Sequence, residues 1–283
     1  MTTTVYMARA FPRGEAGGNP AGVVMDAEGL DAATMQAIAR EVGVSETAFV
    51  QSTPDGHRVR FFTPRTEVAL CGHGTIATYG VLATQGLADG TYTMHTPAGP
   101  QSVTVSEGWV QMSQNPPLFA GPLPVDRIAS VLGIDPSDIL AEPAPQGVST
   151  GLLKIHARVV DRRALDGIDP DWDAIARFGE ATSSTGIFAY TLETAEPGHT
   201  ARCRNFSSAV GAEDPATGTA CGGLASLLVR EGLAQPGEEL RFEQGDAVGR
   251  PSTIRAVISG SRGRITGVRV SGRAVLDAVR TIA

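Results

Sequence analysis

The chain has no dense cluster of lysine and arginine, and its 23 basic residues are outnumbered by 30 acidic ones, for a formal net charge of −7. Nucleic acids and anionic membranes attract concentrated positive potential, so neither is expected as a main partner. Lysine is almost absent. The single one, Lys154, sits in GLLKIHARVV, whose alternation reads as an ordinary strand, and a lysine Schiff-base enzyme is therefore a poor fit. No Walker sequence is present, and no GxGxxG stands between a strand and a helix, which leaves nucleotide-dependent chemistry without support. The three cysteines, Cys71, Cys203 and Cys221, are odd in number and lack CxxC spacing. That pattern disfavours a disulfide framework and a structural zinc site, and it predicts reduced thiols. The opening residues lack the apolar core of a secretion signal, and no window approaches a membrane span, so a cytoplasmic location is expected.

What is present is a globular composition. Of 283 residues, 42% are hydrophobic and 19% are charged, without long charged runs. This is enough chain for one large or two ordinary domains. With 34 glycines and 18 prolines the chain reads as rich in turns and strands.

An internal repeat favours two domains. Residues 71–88 (CGHGTIATYGVLATQGLA) and 217–234 (TGTACGGLASLLVREGLA) align without a gap. Gly72 matches Gly218, and the tripeptide GLA closes both, which predicts two central helices led by glycine and ended near glycine. A helix N-terminus offers N–H groups and roughly half a positive charge, so two such ends facing one cleft would suit a carboxylate or a developing oxyanion. The repeat extends outward. A helix is expected from about Asp31 to Val42, with Met35, Ile38 and Val42 on one face, and the stretch from Trp172 to Arg177 echoes it. Strands are expected around VYMARAF, the GGNPAGVV return, HRVRFFT, TYTMHT, SVTV, TARCRNF, Leu240 to Phe242 and Ile254 to Ile258, with a further helix over Val125 to Leu132. The expected boundaries are residues 1–116 for the first half, 117–124 (Pro-rich) as linker and 125–271 for the second half, with 272–283 as a strand that can cross back to the first.

The copies differ where chemistry is expected. Aligning Phe49 on Phe188 sets Thr185 opposite Glu46, and the helix alignment sets Thr217 opposite Cys71 and Thr219 opposite His73. A two-fold scaffold with a one-sided carboxylate suits a reaction in which one group removes and returns a proton. Glu46, in SETAFV, abuts apolar side chains that would desolvate it and raise its pKa toward that of a general base; the alternative is a surface carboxylate at a strand start. His73 lies at the mouth of the first helix between Gly72 and Gly74, which permit close backbone approach, and it would serve as a donor to substrate or as a structural histidine. Asp214 stands just before the second helix, where it would cap that helix or face a substrate amine or hydroxyl. Cys71 would be either a thiolate activated by the helix or a packing residue. Its matching position is Thr217, so a thiol pair is disfavoured.

With these residues assembled, the chain resembles the phenazine-biosynthesis isomerase (PhzF-like) family of the diaminopimelate-epimerase fold. The segments GGNPAGVV, MQAIAREVGVSETAFV, ALCGHGTIA, GAEDPATGTA and QGDAVGRPS occur in the family's order across nearly the whole chain. The resemblance implies an α+β fold of two pseudo-symmetric domains, each a curved, mainly antiparallel sheet or barrel around a central helix. It implies Glu46 as the acid/base, and Asn19, His73, Asp214, Gly218 and Thr219 as groups that bind or polarise the substrate, with Gly72, Gly74 and Thr217 beside them. It implies no metal or organic cofactor, a small carboxylate-bearing substrate and a homodimer. The family often has serine where this chain has Thr219, which narrows the pocket by a methyl group. CGHGT also resembles proline racemases and hydroxyproline dehydratases, which keeps open an amino-acid epimerase or dehydratase using Cys71. A non-catalytic metabolite-binding protein is the third class.

Overall fold

The structure is a computed structural model that describes residues 2–282. The chain divides into two compact units, Met1–Ser113 together with Ser271–Ala283, and Gln114–Val270. Six α-helices occur among the described residues: α1 (Ala32–Val42), α2 (Gly72–Thr84), α3 (Val125–Leu132), α4 (Arg162–Asp166), α5 (Trp172–Thr182) and α6 (Gly218–Glu231). None is long and apolar enough to cross a membrane.

In the first unit the strand Ala274–Ile282 pairs antiparallel with Thr3–Ala10, which pairs antiparallel with Asn19–Val24. Asn19–Val24 runs parallel to Glu46–Thr53, which is antiparallel to Gly56–Phe62, itself parallel to Gly90–Thr96. Gly99–Ser106 continues the sheet antiparallel to Gly90–Thr96. Two parallel pairings need crossovers, and α1 and the segment holding α2 supply them. Helix α1 is amphipathic: Met35, Ile38, Ala39 and Val42 are buried, packed into a cluster with Val5, Val24, Phe49 and Phe62. Asp31 caps it by accepting from Thr34 N at 2.8 Å, and Gly43 ends it in the left-handed region at φ 71°.

Helix α2 is buried on nearly all sides, because strands from Thr3–Ala10, Asn19–Val24, Glu46–Thr53, Gly99–Ser106 and Ala274–Ile282 pack on it. Its polar side chains are satisfied internally, with Thr75 Oγ1 donating to Cys71 O at 2.8 Å and Thr78 Oγ1 to Gly74 O at 2.7 Å. A side chain at Gly74 would crowd its neighbours, since a Cβ there would lie 3.0 Å from both Cys71 Sγ and the Phe61 ring.

The second unit repeats the pairing pattern. Leu118–Pro122 is antiparallel to Gln146–Ser149, followed by Leu153–Arg158 (antiparallel), Gly186–Thr191 (parallel), Ala201–Ser207 (antiparallel), Glu239–Gln244 (parallel) and Ser252–Ser261 (antiparallel). Helices α3 and α5 cover a core of Ile128, Leu132, Ile155, Ile175, Phe178, Ile187 and Phe206, while α6 is buried by the strands around it. This is the α+β architecture the resemblance implies.

Three expectations change. Residues 117–124 are not a bare linker, because Leu118–Pro122 is a strand in the second unit; its place at the end of the pairing order lets Pro122 occupy it without breaking a ladder. Gly72 and Gly218 do not precede their helices but begin them, with Cys71 and Thr217 as the N-cap residues. The repeat's register also differs. Helices α1 and α5 have the same length, and their buried positions Met35, Ile38 and Ala39 fall on Ile175, Phe178 and Gly179. Their left-handed C-caps are Gly43 and Ser183, so Ser45 corresponds to Thr185 and Glu46 to Gly186. The Phe49–Phe188 alignment is one residue out. A one-residue slip in a strand turns every side chain to the other face: Phe49 joins the α1 core, whereas Phe188 stacks on His156 with centroids 5.5 Å apart.

Candidate active site

Two polar groups form at the helix starts, one in each unit. In the first, Glu46 begins the strand after α1, and Cys71 and His73 lie at the start of α2. His73 Nε2 is 3.0 Å from Glu46 Oε2, with the two side chains 8% and 16% exposed. The same nitrogen is 3.2 Å from Ser45 Oγ, whose hydroxyl donates to the Pro20 carbonyl at 3.1 Å. Because Ser45 spends its proton on Pro20, it faces His73 as an acceptor, which places a proton on Nε2 directed at Ser45, with Glu46 Oε2 at ion-pair distance. His73 Nδ1 is 3.5 Å from Cys71 Sγ, and that sulfur accepts from Gly74 N at 3.2 Å, capping α2.

These contacts set the charges. Burial favours a neutral Glu46, but the positive charge of the neighbouring His73 outweighs it and holds the carboxyl below the usual range. The expectation of a raised Glu46 pKa is therefore corrected: the apolar neighbours are there, and so is a cation that local sequence does not reveal. Burial also works against a charged His73, yet its contacts with Cys71 and Glu46 carry it well above the ordinary histidine range. Burial pushes the Cys71 thiol up, and Glu46 adds to the effect. The resting arrangement is a carboxylate, an imidazolium and a neutral thiol. A neutral thiol serving as a helix cap is a poor proton acceptor, and the Cys71-based alternative gains nothing from this geometry.

Asn19 is buried at the start of the strand that runs parallel to Glu46–Thr53, with Ala21 in register with Glu46. Asn19, Glu46, Gly72, His73 and Gly74 thus belong to one unit, and Asp214, Thr217, Gly218 and Thr219 to the other. In the second unit, Thr217 Oγ1 donates to Asp214 Oδ2 in a short hydrogen bond and accepts from Asn205 Nδ2 at 2.7 Å and Gln244 Nε2 at 3.0 Å. Its hydroxyl is saturated, and it makes no capping bond to α6. Asp214 does not act as the expected N-cap; Thr217 holds that position and binds the carboxylate. Gln244 also fixes the loop by donating to Asp214 O at 2.7 Å and accepting from Thr217 N at 3.1 Å. The carbonyls of Gly218 and Thr219 accept from Gln114 Nε2 at 3.0 Å and Thr150 Oγ1 at 3.1 Å, which pins the first turn of α6.

Lys154 is more than the plain strand residue its alternating pattern suggests. It is 4% exposed, donates to Thr185 O at 2.6 Å, and has its pKa pushed down to about 8 by burial, against the opposing pull of Asp214. Lys154 lies two residues from His156 and so shares its strand face; His156 reaches Ala220 O of α6 at 3.0 Å. Ser45, Asn205 and Gln244 were also missed. Ser45 and Gln244 lie inside segments quoted for the family resemblance, whereas Asn205 had no signal beyond a strand pattern. Glu46, Cys71 and His73 each offer a metal-ligating atom, and these atoms lie within 4.8 Å of one another.

Comparison with known proteins places this arrangement. The Bacillus anthracis phenazine biosynthesis protein of the PhzF family superposes with a TM-score of 0.91 at 28% identity, covering 100% of this chain and 99% of that one. The fold is thus that of the PhzF-type proteins. The sequence matches the phenazine biosynthesis-like protein (PhzC-PhzF) family over residues 8–279, and the chain belongs to that family of isomerases. It is 34% identical over 289 residues to the uncharacterized isomerase YddE of Escherichia coli O157:H7, covering 98% of this chain and 97% of the relative. It is 32% identical over 275 residues to the trans-2,3-dihydro-3-hydroxyanthranilate isomerase of Pseudomonas fluorescens, covering 91% of each.

Proposed function

We propose that the chain is a cofactor-independent isomerase that shifts a hydrogen on a small carboxylate-bearing substrate, with Glu46 as the group that takes and returns the proton. The observation that carries this reading is the buried Glu46–His73 contact of 3.0 Å. An ionised carboxylate is ready to accept a proton, and the imidazolium beside it offers a donor and a positive charge where negative charge develops on the substrate. The low pKa makes Glu46 a weak base toward water. Entry of an anionic substrate beside His73 would compete for that cation and raise the carboxyl's proton affinity at the moment of use. The Pseudomonas fluorescens relative, named for isomerising a dihydro-hydroxyanthranilate, supports an unsaturated, amino-substituted acid as the substrate class. Asn19, Asp214, Gly218 and Thr219 are assigned to holding the substrate, with Lys154 as a further cation in the second unit.

The test is mass spectrometry in heavy water across a panel of unsaturated and amino-substituted acids, including trans-2,3-dihydro-3-hydroxyanthranilate. One compound is expected to gain deuterium while changing its double-bond position. Binding of such acids with no exchange on any of them would contradict the reading and favour a metabolite-binding protein.

A further inference from the structure

We infer that Glu46, Cys71 and His73 form a site for one zinc ion, through which zinc blocks the enzyme. The three donors are a carboxylate oxygen, a sulfur and an imidazole nitrogen, a set suited to zinc and unlike the all-oxygen sets that calcium and magnesium prefer. Tetrahedral zinc with ordinary bond lengths spaces its ligand atoms roughly 3.4–3.6 Å apart. Here His73 Nε2 stands 3.0 Å from Glu46 Oε2 and 3.8 Å from Cys71 Sγ, and all three donors fall within 4.8 Å of one another. The Glu46 side chain, the most exposed of the three, has the most freedom to adjust.

A further feature favours the metal-bound state. Cys71 is the N-cap of α2 and already accepts a backbone N–H from Gly74, so a thiolate there would meet the positive end of a helix as well as the ion. Ser45 Oγ, 3.2 Å from Nε2, accepts its N–H in the metal-free state, so zinc must displace that bond. Three protein ligands leave the fourth position to water or a substrate carboxylate, the composition of a reactive rather than a structural zinc centre. Zinc would take the lone pairs of Sγ, Nε2 and Oε2 and release the thiol and imidazolium protons to solvent. Blocking follows because Glu46 would no longer accept a proton; that consequence rests on the isomerase reading, while the binding does not.

The experiment uses the full chain and Co²⁺ as a spectroscopic stand-in, followed by Zn²⁺ titration calorimetry. A thiolate-to-cobalt charge-transfer band with intense visible absorption, displaced by one equivalent of Zn²⁺, is expected. Cys71→Ser should remove the charge-transfer band and weaken Zn²⁺ binding by at least about tenfold, since loss of mere supporting groups already costs ten- to hundredfold. His73→Gln should act alike, whereas His95→Gln, which breaks the exposed His95–Asp55 pair, should leave binding intact. Melting curves verify that each variant is folded. No charge-transfer band, or one that survives Cys71→Ser in a folded variant, overturns the site. Should zinc bind here while hydrogen exchange on substrate continues, the metal site stands and the role given to Glu46 falls.

Discussion

In the first unit Arg60 pairs with Glu67 at 2.7 Å and lies 5.1 Å from the Phe62 ring; in the second, Arg204 pairs with Glu213 at 2.7 Å and lies 4.9 Å from Phe206. The same cation, ring and carboxylate recur at matching strand positions, so the structural charges were kept in both copies of the repeat. The charges at the helix starts were not. Ala21 sits beside Glu46 in the first unit, and the matching positions in the second are Lys154 and Gly186. A small residue and an acid have become a base and a glycine. Similarly, Cys71 and His73 correspond to Thr217 and Thr219, and Val68 to Asp214. One copy carries a buried carboxylate–histidine pair, and the other a hydrogen-bonded threonine hub with a buried lysine.

The largest effect that would sharpen this contrast is expected from His73→Gln. Turnover should drop about a hundred- to ten-thousand-fold, the usual span for a positioned proton-transfer group. Because His73 holds the Glu46 carboxyl low, the acid limb of any residual rate against pH should move upward. An unmoved acid limb would show that the two side chains do not interact in solution.

Next is Gly186→Ala. The glycine has φ +110°, and a Cβ there would lie 2.0 Å from Phe206 O. Strain of this kind costs about 1–3 kcal/mol, enough to lower Tm by several degrees in a chain of this size. A melting curve equal to that of the parent would break the claim that the second copy's counterpart of Glu46 must lack a side chain.

A smaller effect is expected from Lys154→Met. The buried lysine titrates near 8 when folded, against an ordinary 10.5. Below pH 8 both folded and unfolded forms are protonated, and the full cost of burying the charge, roughly 3 kcal/mol, opposes folding. Between about pH 8 and 10.5 only the unfolded form holds the proton, so the parent should gain stability as pH rises. Chemical denaturation of the methionine variant should give greater stability at pH 7 and a flatter profile over that window. Calorimetry should show weaker binding of carboxylated ligands. A variant less stable at pH 7 would mean that the ammonium is better compensated than its single hydrogen bond suggests.

Much of the architecture was legible because its signals are local: the glycine-led helices, the apolar face of α1, and the ending of α1 at Gly43. The strand register was not. The runs TAFV and GIFAYT are buried on both faces, so they lack the polar alternation that fixes phase, and two phenylalanines aligned one residue wrong. Glu46's charge state is hidden from local sequence for a related reason. Its sequence neighbours are apolar, and the cation that controls it arrives from the start of α2. Lys154 looked unremarkable because a strand pattern shows alternation and not what the buried end of a long side chain meets. The role of Thr217 as a saturated hub needed Asn205 and Gln244, which come from strands on either side of α6 in the chain.

The most direct test of the central claim is the rate of deuterium uptake from heavy water by a turned-over substrate, measured for the parent and for folded Glu46→Gln. The account predicts loss of at least about a hundredfold with ligand affinity nearly retained. Equal rates in the two proteins would contradict it.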